Sequence, residues 1–250
     1  MAHNFRSRLL AGELLIGTML TLPSPEIAEM MGLVGFDWLF VDGEHSALGT
    51  REMQALLQGA GRDTAVVIRL ESDGETAVKK ALDIGAAGII VPQANSAEQA
   101  ERVVRRAKYP PLGTRGVGVA RAHGYGLHFA DYVARANETT AVIIQVEHVT
   151  AVAAIEEIVR VPGIDAVFVG PYDLSASMGK MGQVADAEVK SAINRVTDVC
   201  LAADMRLGIF GLSAEAVRPY IDQGYTLITA GMDMRLLGQA AQNLLALLKA

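Results

Sequence analysis

The chain has one cysteine, Cys200, which excludes an internal disulfide. Its neighbours Val199 and Leu201 are apolar, and the stretch 187–202 has a helical pattern, so Cys200 reads as a packed core thiol. Positive charge is in deficit: 22 Lys and Arg stand against 28 Asp and Glu, a formal net charge of −6. That argues against a nucleic-acid partner, which requires a basic stripe, but leaves room for a local cationic site for an acidic metabolite. No uninterrupted apolar run is long enough to cross a bilayer, so no membrane partner is expected. No apolar segment follows Arg6 and Arg8 in the manner of a secretory leader, and the expected location is the cytoplasm. A Cys/His cluster of the structural-zinc kind is missing. So are the glycine fingerprints G-x-G-x-x-G and G-x-x-x-x-G-K-[ST].

What the chain does have is 51% hydrophobic residues in 250, enough for one domain with a large core. Short apolar runs rich in Val and Ile recur at 15–20, 38–41, 66–70, 88–91, 141–147, 166–169, 207–210 and 227–230. Continuous apolar strands of this kind are buried on both faces, as in parallel sheets. Amphipathic stretches alternate with them at 25–31, 50–61, 73–84, 96–107, 152–160, 187–202, 214–223 and 234–248. Eight such pairs predict an α/β fold, a single-domain (β/α)8 TIM barrel. A doubly wound open sheet would usually have fewer strands and a Gly-rich turn after the first, where this chain has Thr21-Leu22-Pro23-Ser24. One connection is long. Its part YPPLGTRGVGVARAHGYG (109–126) reads as functional, or as a surface excursion or subunit contact.

Barrel active sites lie at the carboxyl ends of the strands. Charge is concentrated at ends two, three, five and six: Asp42-Gly43-Glu44-His45, Arg69, Gln145-Val146-Glu147 and Gly170-Pro171-Tyr172-Asp173. Gln145 and Glu147, two apart on a strand, share a face. A carboxylate in the lumen must be paired or bound to metal, so Glu147 is a metal ligand, a catalytic group or half of a structural ion pair. Asp173 either caps the next helix or joins Glu147 on one cation. Two carboxylates plus water and substrate oxygens suit a hard divalent metal ion. His45 is either a turn histidine or a proton-transfer group, with Asp42 placed to orient its ring. The other histidines, His3, His123, His128 and His148, lie at the terminus, in the long connection or just past a strand. Arg69 interrupts an apolar strand, and a buried guanidinium needs a carboxylate from the protein or from a substrate. None of the lysines falls on a predicted strand, which favours metal chemistry over a lysine imine.

Several stretches together resemble the HpcH/HpaI family of 4-hydroxy-2-oxoheptanedioate and 2-keto-3-deoxy-sugar-acid aldolases. They are FDWLFVDGEHS (36–46), VIRL (67–70), GAAGIIVPQANSAEQA (85–100), YPPLGTRGVG (109–118), IIQVEH (143–148) and VFVGPYDLSASMG (167–179). The resemblance implies a class II aldolase that enolises pyruvate on a divalent cation (Mg²⁺, Mn²⁺ or Co²⁺) and adds the enolate to an aldehyde. Its small-molecule partners would be a 2-oxo acid, pyruvate or hydroxypyruvate, and that aldehyde. It implies that Glu147 and Asp173 bind the metal, that His45 is the base and that Arg69 stabilises the enolate. Gln145, Tyr172 and Asp173 would contact the oxo acid, and Leu212, after the seventh strand, is a further expected substrate contact. Asp83 would raise the basicity of His45. Because Asp83 precedes the fourth strand, it should reach His45 only from a neighbouring subunit, and the family's usual hexamer would allow that. Tyr172 stands where the family often has a small residue. Alternative readings are a citrate-lyase-like or malyl-CoA-type lyase, for which the chain is short, and a non-catalytic binding barrel.

Overall fold

Eight parallel strands close on themselves in the order β1 to β8. They are β1 (Leu15–Leu20), β2 (Trp38–Asp42), β3 (Ala65–Arg69), β4 (Gly88–Val91), β5 (Ala141–Val146), β6 (Ala166–Val169), β7 (Arg206–Gly211) and β8 (Leu227–Met232). The computed structural model describes residues 5–249 of the chain. Helices α2 (Pro25–Val34), α3 (Thr50–Gly59), α4 (Glu75–Asp83), α5 (Ala97–Ala107), α10 (Ala187–Ala202), α11 (Ala214–Asp222) and α12 (Asp233–Lys249) match the predicted stretches within a few residues. The expected (β/α)8 barrel is therefore present.

The pattern that produces these helices is clear in α5. Ala100, Val103, Val104 and Ala107 are buried at a spacing that makes one apolar face. Ser96 accepts from the Gln99 backbone N–H at 3.2 Å, and the Gln99 side chain accepts from the Asn95 N–H at 2.7 Å, a reciprocal cap. The predicted helix at 152–160 differs. It is two short helices, α7 (Val149–Ala153) and α8 (Ile155–Ile158), separated at Ala154. Three helices were not foreseen: α1 (Phe5–Leu10), α6 (Phe129–Thr139) and α9 (Pro171–Ser177).

Alternation along the strands divides the core in two. Leu39, Val41, Ile68, Ile89 and Ile144 face the helical layer. Trp38, Phe40, Val67, Ile90, Ile143 and Phe168 fill the lumen. There Trp38 meets Phe40 edge-on at 6.0 Å, and Phe40 stacks on Phe168 at 5.7 Å. Below them α1 closes the amino-terminal end. Phe5 packs 5.9 Å from Trp38, and Arg6 pairs with Asp165 at 2.8 Å. The lumen is thus a solid plug.

The long connection also belongs to the amino-terminal end. Lys108, at its start, donates to the carbonyls of Asn137 and Thr140, just before β5, at 2.9 and 2.7 Å. Arg121 donates to the carbonyl of Ile84, ahead of β4, at 2.7 Å. Buried Arg115 lies over the Tyr109 ring at 4.5 Å and pairs with Asp83 at 2.7 Å. The glycines of this segment are therefore far from the rim where chemistry was expected.

Candidate active site

At the carboxyl end a cavity of about 310 Å³ opens over the aromatic plug. Phe40 and Phe168 line it, as do Asp42, His45, Arg69 and Gln145. Met19, Gly170, Pro171, Tyr172, Asp173, Phe210, Leu212 and Met232 complete the wall. A second cavity, also about 310 Å³, lies at the amino-terminal end beside Arg62 and Arg121. It has no carboxylate lining, and strand carboxyl ends are where barrels place their chemistry.

The first cluster is built by β2 and β3, paired in register with Asp42 opposite Arg69. Asp42 receives Arg69 Nε at 2.9 Å and Nη2 at 2.8 Å, a two-pronged ion pair in a nearly dry place. Burial works against the Asp42 carboxylate, but the Arg69 guanidinium and two backbone N–H groups outweigh it and hold its pKa below the usual value. Arg69 itself lies 5.4 Å over the Phe40 ring. Asp42 does not face the His45 imidazole, as sequence spacing had suggested. It accepts from the backbone N–H groups of Glu44 at 3.0 Å and His45 at 3.2 Å. The side chain near the ring is Glu44, with Oε2 3.7 Å from His45 Nε2 and 3.3 Å from Arg69 Nε. His45 is largely exposed at the rim, with a side-chain exposure of 62%.

The second cluster is built by β5 and the turn after β6. Glu147, just past β5, is buried. Its Oε1 accepts from the Gln93 backbone N–H at 2.9 Å, and its Oε2 accepts from the Gln145 side chain. Burial pushes the Glu147 carboxyl above its usual pKa. The Gln145 and Gln93 bonds act the other way, and the nearby charge of Asp173 adds to the rise. Asp173 does not cap α9. The cap position is Gly170, Pro171 opens the helix, and Asp173 lies exposed in its first turn. Gly170 packs directly on Glu147: a Cβ there would come within 3.0 Å of Glu147 Cβ and 3.2 Å of its Oε2.

Among the described residues no set of three or more His, Cys, Asp or Glu side chains converges. The donor set is two carboxylates, one of them buried, beside the Gln145 Oε1 atom, which is buried and without a hydrogen-bond partner. These are all hard oxygens. They fit a divalent ion that leaves several positions to water and to a chelating substrate, and they do not fit zinc of the Cys/His type.

Tyr172 and Leu212 line the cavity, with Tyr172 38% exposed and its ring 6.5 Å from Phe210. Asp83 does not join the site. It is at the amino-terminal end on Arg115, as its sequence position implied. Neither Lys180 nor Lys108 lines the cavity. Lys180 pairs with Asp186 and Glu188, and Lys108 is at the other end of the barrel, where burial lowers its pKa to about 8. His123 is buried against the Gly118 carbonyl, His148 caps α7, and His3 lies outside the described residues. Sequence reasoning did not assign Glu44, Gln93 and Phe210. Glu44 was legible as a charge at a strand end; the other two had no signal of their own.

A family model described as HpcH/HpaI aldolase/citrate lyase matches residues 16–240. The chain is 39% identical to a 2-dehydro-3,6-dideoxy-6-sulfogluconate aldolase from Pseudomonas putida, over 94% of this chain and 92% of that one. It is 37% identical to a hydroxypyruvate/pyruvate aldolase from Roseovarius nubinhibens, over 98% and 96%. Among solved structures, an HpcH/HpaI aldolase/citrate lyase family protein from Burkholderia cenocepacia superposes with a TM-score of 0.94, at 35% identity and 98% coverage of both chains. The chain therefore belongs to the HpcH/HpaI aldolase family and is a carbon–carbon lyase.

Proposed function

We propose that this lyase is a divalent-metal-dependent class II aldolase that joins a pyruvate-type 2-oxo acid to an aldehyde, and cleaves the 4-hydroxy-2-oxo acid in reverse. The observation that carries this is the pairing of two unlike clusters across one cavity. Asp173 lines one side together with Gln145, whose amide holds the buried Glu147 behind it, and Arg69, fixed by Asp42, offers positive charge on the other. Glu147 and Asp173 would hold the ion, with Mg²⁺, Mn²⁺ and Co²⁺ as the candidates. When bound, it supplies Lewis acidity to the oxygens of the 2-oxo acid.

The protein's own residues account for the remaining steps. Arg69 cannot turn away from the cavity, because Asp42 holds two of its nitrogens. It is therefore preorganised to stabilise the oxygen that becomes negative as the enolate forms. His45, at the mouth, takes the methyl proton. The C–H electron pair becomes the enolate double bond and then attacks the aldehyde carbon, and the proton on His45 goes to the new alkoxide oxygen. Gln145 orients Glu147 through its amide. Tyr172 and Leu212 border the space the aldehyde enters. We further infer a cytoplasmic homo-oligomer, hexameric in the arrangement that would bring Asp83 to another subunit's His45.

The test is exchange of pyruvate methyl protons with deuterated water, run beside an aldehyde panel with pyruvate and hydroxypyruvate. Chelator should abolish both reactions, and added Mg²⁺, Mn²⁺ or Co²⁺ should restore them. Asp173→Ala should lose metal, measured by calorimetry, while keeping its fold, because a rim carboxylate contributes little to the core. Full activity in either Glu147→Ala or Asp173→Ala would overturn the assignment.

A further inference from the structure

Charge and apolarity divide the wall of the rim cavity into two halves. The ends of β2, β3 and β5 and the turn after β6 bring Asp42, His45, Arg69, Gln145 and Asp173 to it. The ends of β7, β8 and β1 bring Phe210, Leu212, Met232 and Met19, and the Tyr172 ring joins them 6.5 Å from Phe210. Phe210, Leu212 and Met232 are half-buried and Tyr172 is exposed, so apolar surface at the cavity is left uncovered by the protein. One of these side chains reaches the wall through a break in strand geometry. Along β8, Ile228 and Ala230 pack with the helical layer, and strict alternation would send residue 232 the same way. Gly231 has a φ of 71°, and the register of β1 on β8 shifts between Gly17 and Met19. Met232 turns instead to the lumen cluster, opposite Met19. Irregularities of this kind re-aim a side chain, and here the result is a thioether in the cavity.

The basic side chains that line the cavity are Arg69 and His45, both on the polar half, and Asp42 already holds Arg69. Among the described residues no charged group lines the apolar half. A charged group brought against that half loses its water and gains no partner, which is unfavourable. The Asp173 carboxylate in the same cavity repels a second anion. We propose that Met19, Tyr172, Phe210, Leu212 and Met232 form the specificity wall for the acceptor, selecting an uncharged aldehyde with an alkyl or aryl body over one that carries a carboxylate or a chain of hydroxyls. This deepens the aldolase reading above and rests on it. Selection works through contact: each methylene that leaves water for the wall favours reaction by a similar factor until the cavity is full. Aromatic rings and flexible thioethers adapt to both flat and extended bodies.

The test is kcat/KM with pyruvate for matched aldehydes. From acetaldehyde to propanal to butanal it should rise about three- to fourfold per methylene. Succinic semialdehyde, which has butanal's carbon count with a carboxylate at the far end, should react about tenfold or more slowly than butanal. Glyceraldehyde should likewise fall below propanal. In Phe210→Ala the alkyl series should flatten, and in Leu212→Arg the ratio of succinic semialdehyde to butanal should rise about tenfold or more. Each readout is a ratio within one variant, which general damage to the fold leaves unchanged. A flat alkyl series in wild type, a succinic semialdehyde rate equal to that of butanal, or a ratio unmoved in Leu212→Arg would overturn the proposal. If wild type neither exchanges pyruvate methyl protons nor joins any aldehyde, the aldolase reading falls, and binding still decides the wall. In NMR of the methyl-labelled full-length protein, butanol should then shift the Met19 and Met232 signals at lower concentration than 4-hydroxybutyrate does. Equal response to the two alcohols would remove the wall as a selector.

Discussion

At the scale of single residues, Asp42 shows how far spacing can direct attention and where it stops. Three positions before His45, it was expected behind the ring. The structure gives both its oxygens to Arg69 and the turn N–H groups. Removing one member of a buried ion pair typically costs about 3–5 kcal/mol, because the other charge is left uncompensated. Asp42→Asn should therefore lower stability by about that much in urea unfolding at neutral pH. A loss under about 1 kcal/mol, within the range of an ordinary surface change, would show that Glu44 replaces Asp42 on Arg69. The pH dependence has a definite sign. The folded pKa of Asp42 lies below its ordinary 3.8, so its contribution is present above that value and is lost as the pH falls through the folded value. Wild-type and Asp42→Asn stabilities should converge in that acidic window. The identities of Asp42, His45, Arg69 and Glu147 were legible because charge at a strand's carboxyl end is rare among apolar runs. Their pairings were not, since spacing fixes a face and leaves the side-chain torsions free.

At the scale of elements, the strands were read almost to the residue. Val, Ile and Leu runs buried on both faces leave little choice of boundary, and Gly88–Val91 and Ala166–Val169 are bounded by turns on either side. The missed helices fail for physical reasons. Helix α9 is seven residues long and starts at a proline, so its sequence reads as rim loop. Helix α6 lies inside a connection whose glycines dominate the local pattern. The consequence of α9 is chemical, because its first turn brings the Asp173 charge near Glu147, and the missing side chain of Gly170 leaves room for the Glu147 carboxylate. Gly170→Ala inserts a methyl group 3.0–3.3 Å from Glu147 and Gln145. Crowding of this kind costs about 1–3 kcal/mol in a packed place, and here it should appear as a tenfold or greater loss of divalent-metal affinity. Calorimetry of metal binding by the variant measures it, and an unchanged affinity would mean that Glu147 is not held by this packing.

At the scale of the molecule, chemistry and cohesion occupy opposite ends. Asp83 is bound to Arg115 on the amino-terminal face, while His45 is at the carboxyl rim. Any action of Asp83 on His45 needs a second chain. The surface agrees with association: in α12, Leu236, Leu237, Leu244, Leu245, Leu247 and Leu248 are all exposed, and Asp233 is its buried residue. Exposed apolar area of this extent on one helix is what a proposed subunit contact would cover. Sedimentation at working concentration should show an oligomer, six copies in the expected arrangement. A fully active monomer would remove Asp83 from the site altogether.

The aromatic plug has one more consequence, and it concerns the order of events. Phe40 and Phe168 close the lumen beneath the cavity, and Phe5 and Trp38 close it again below, so the site has a single door. Two of the groups proposed for the oxo acid lie deep, Gln145 1% and Arg69 7% exposed, whereas Tyr172 at the mouth is 38% exposed. An aldehyde that arrives first stands in the doorway. Steady-state kinetics should therefore be sequential and compulsory: the oxo acid enters before the aldehyde, and in cleavage the aldehyde leaves before the oxo acid. In the cleavage direction the oxo-acid product should inhibit competitively against substrate, and the aldehyde noncompetitively. The reverse pattern would mean that the floor of the barrel opens during turnover.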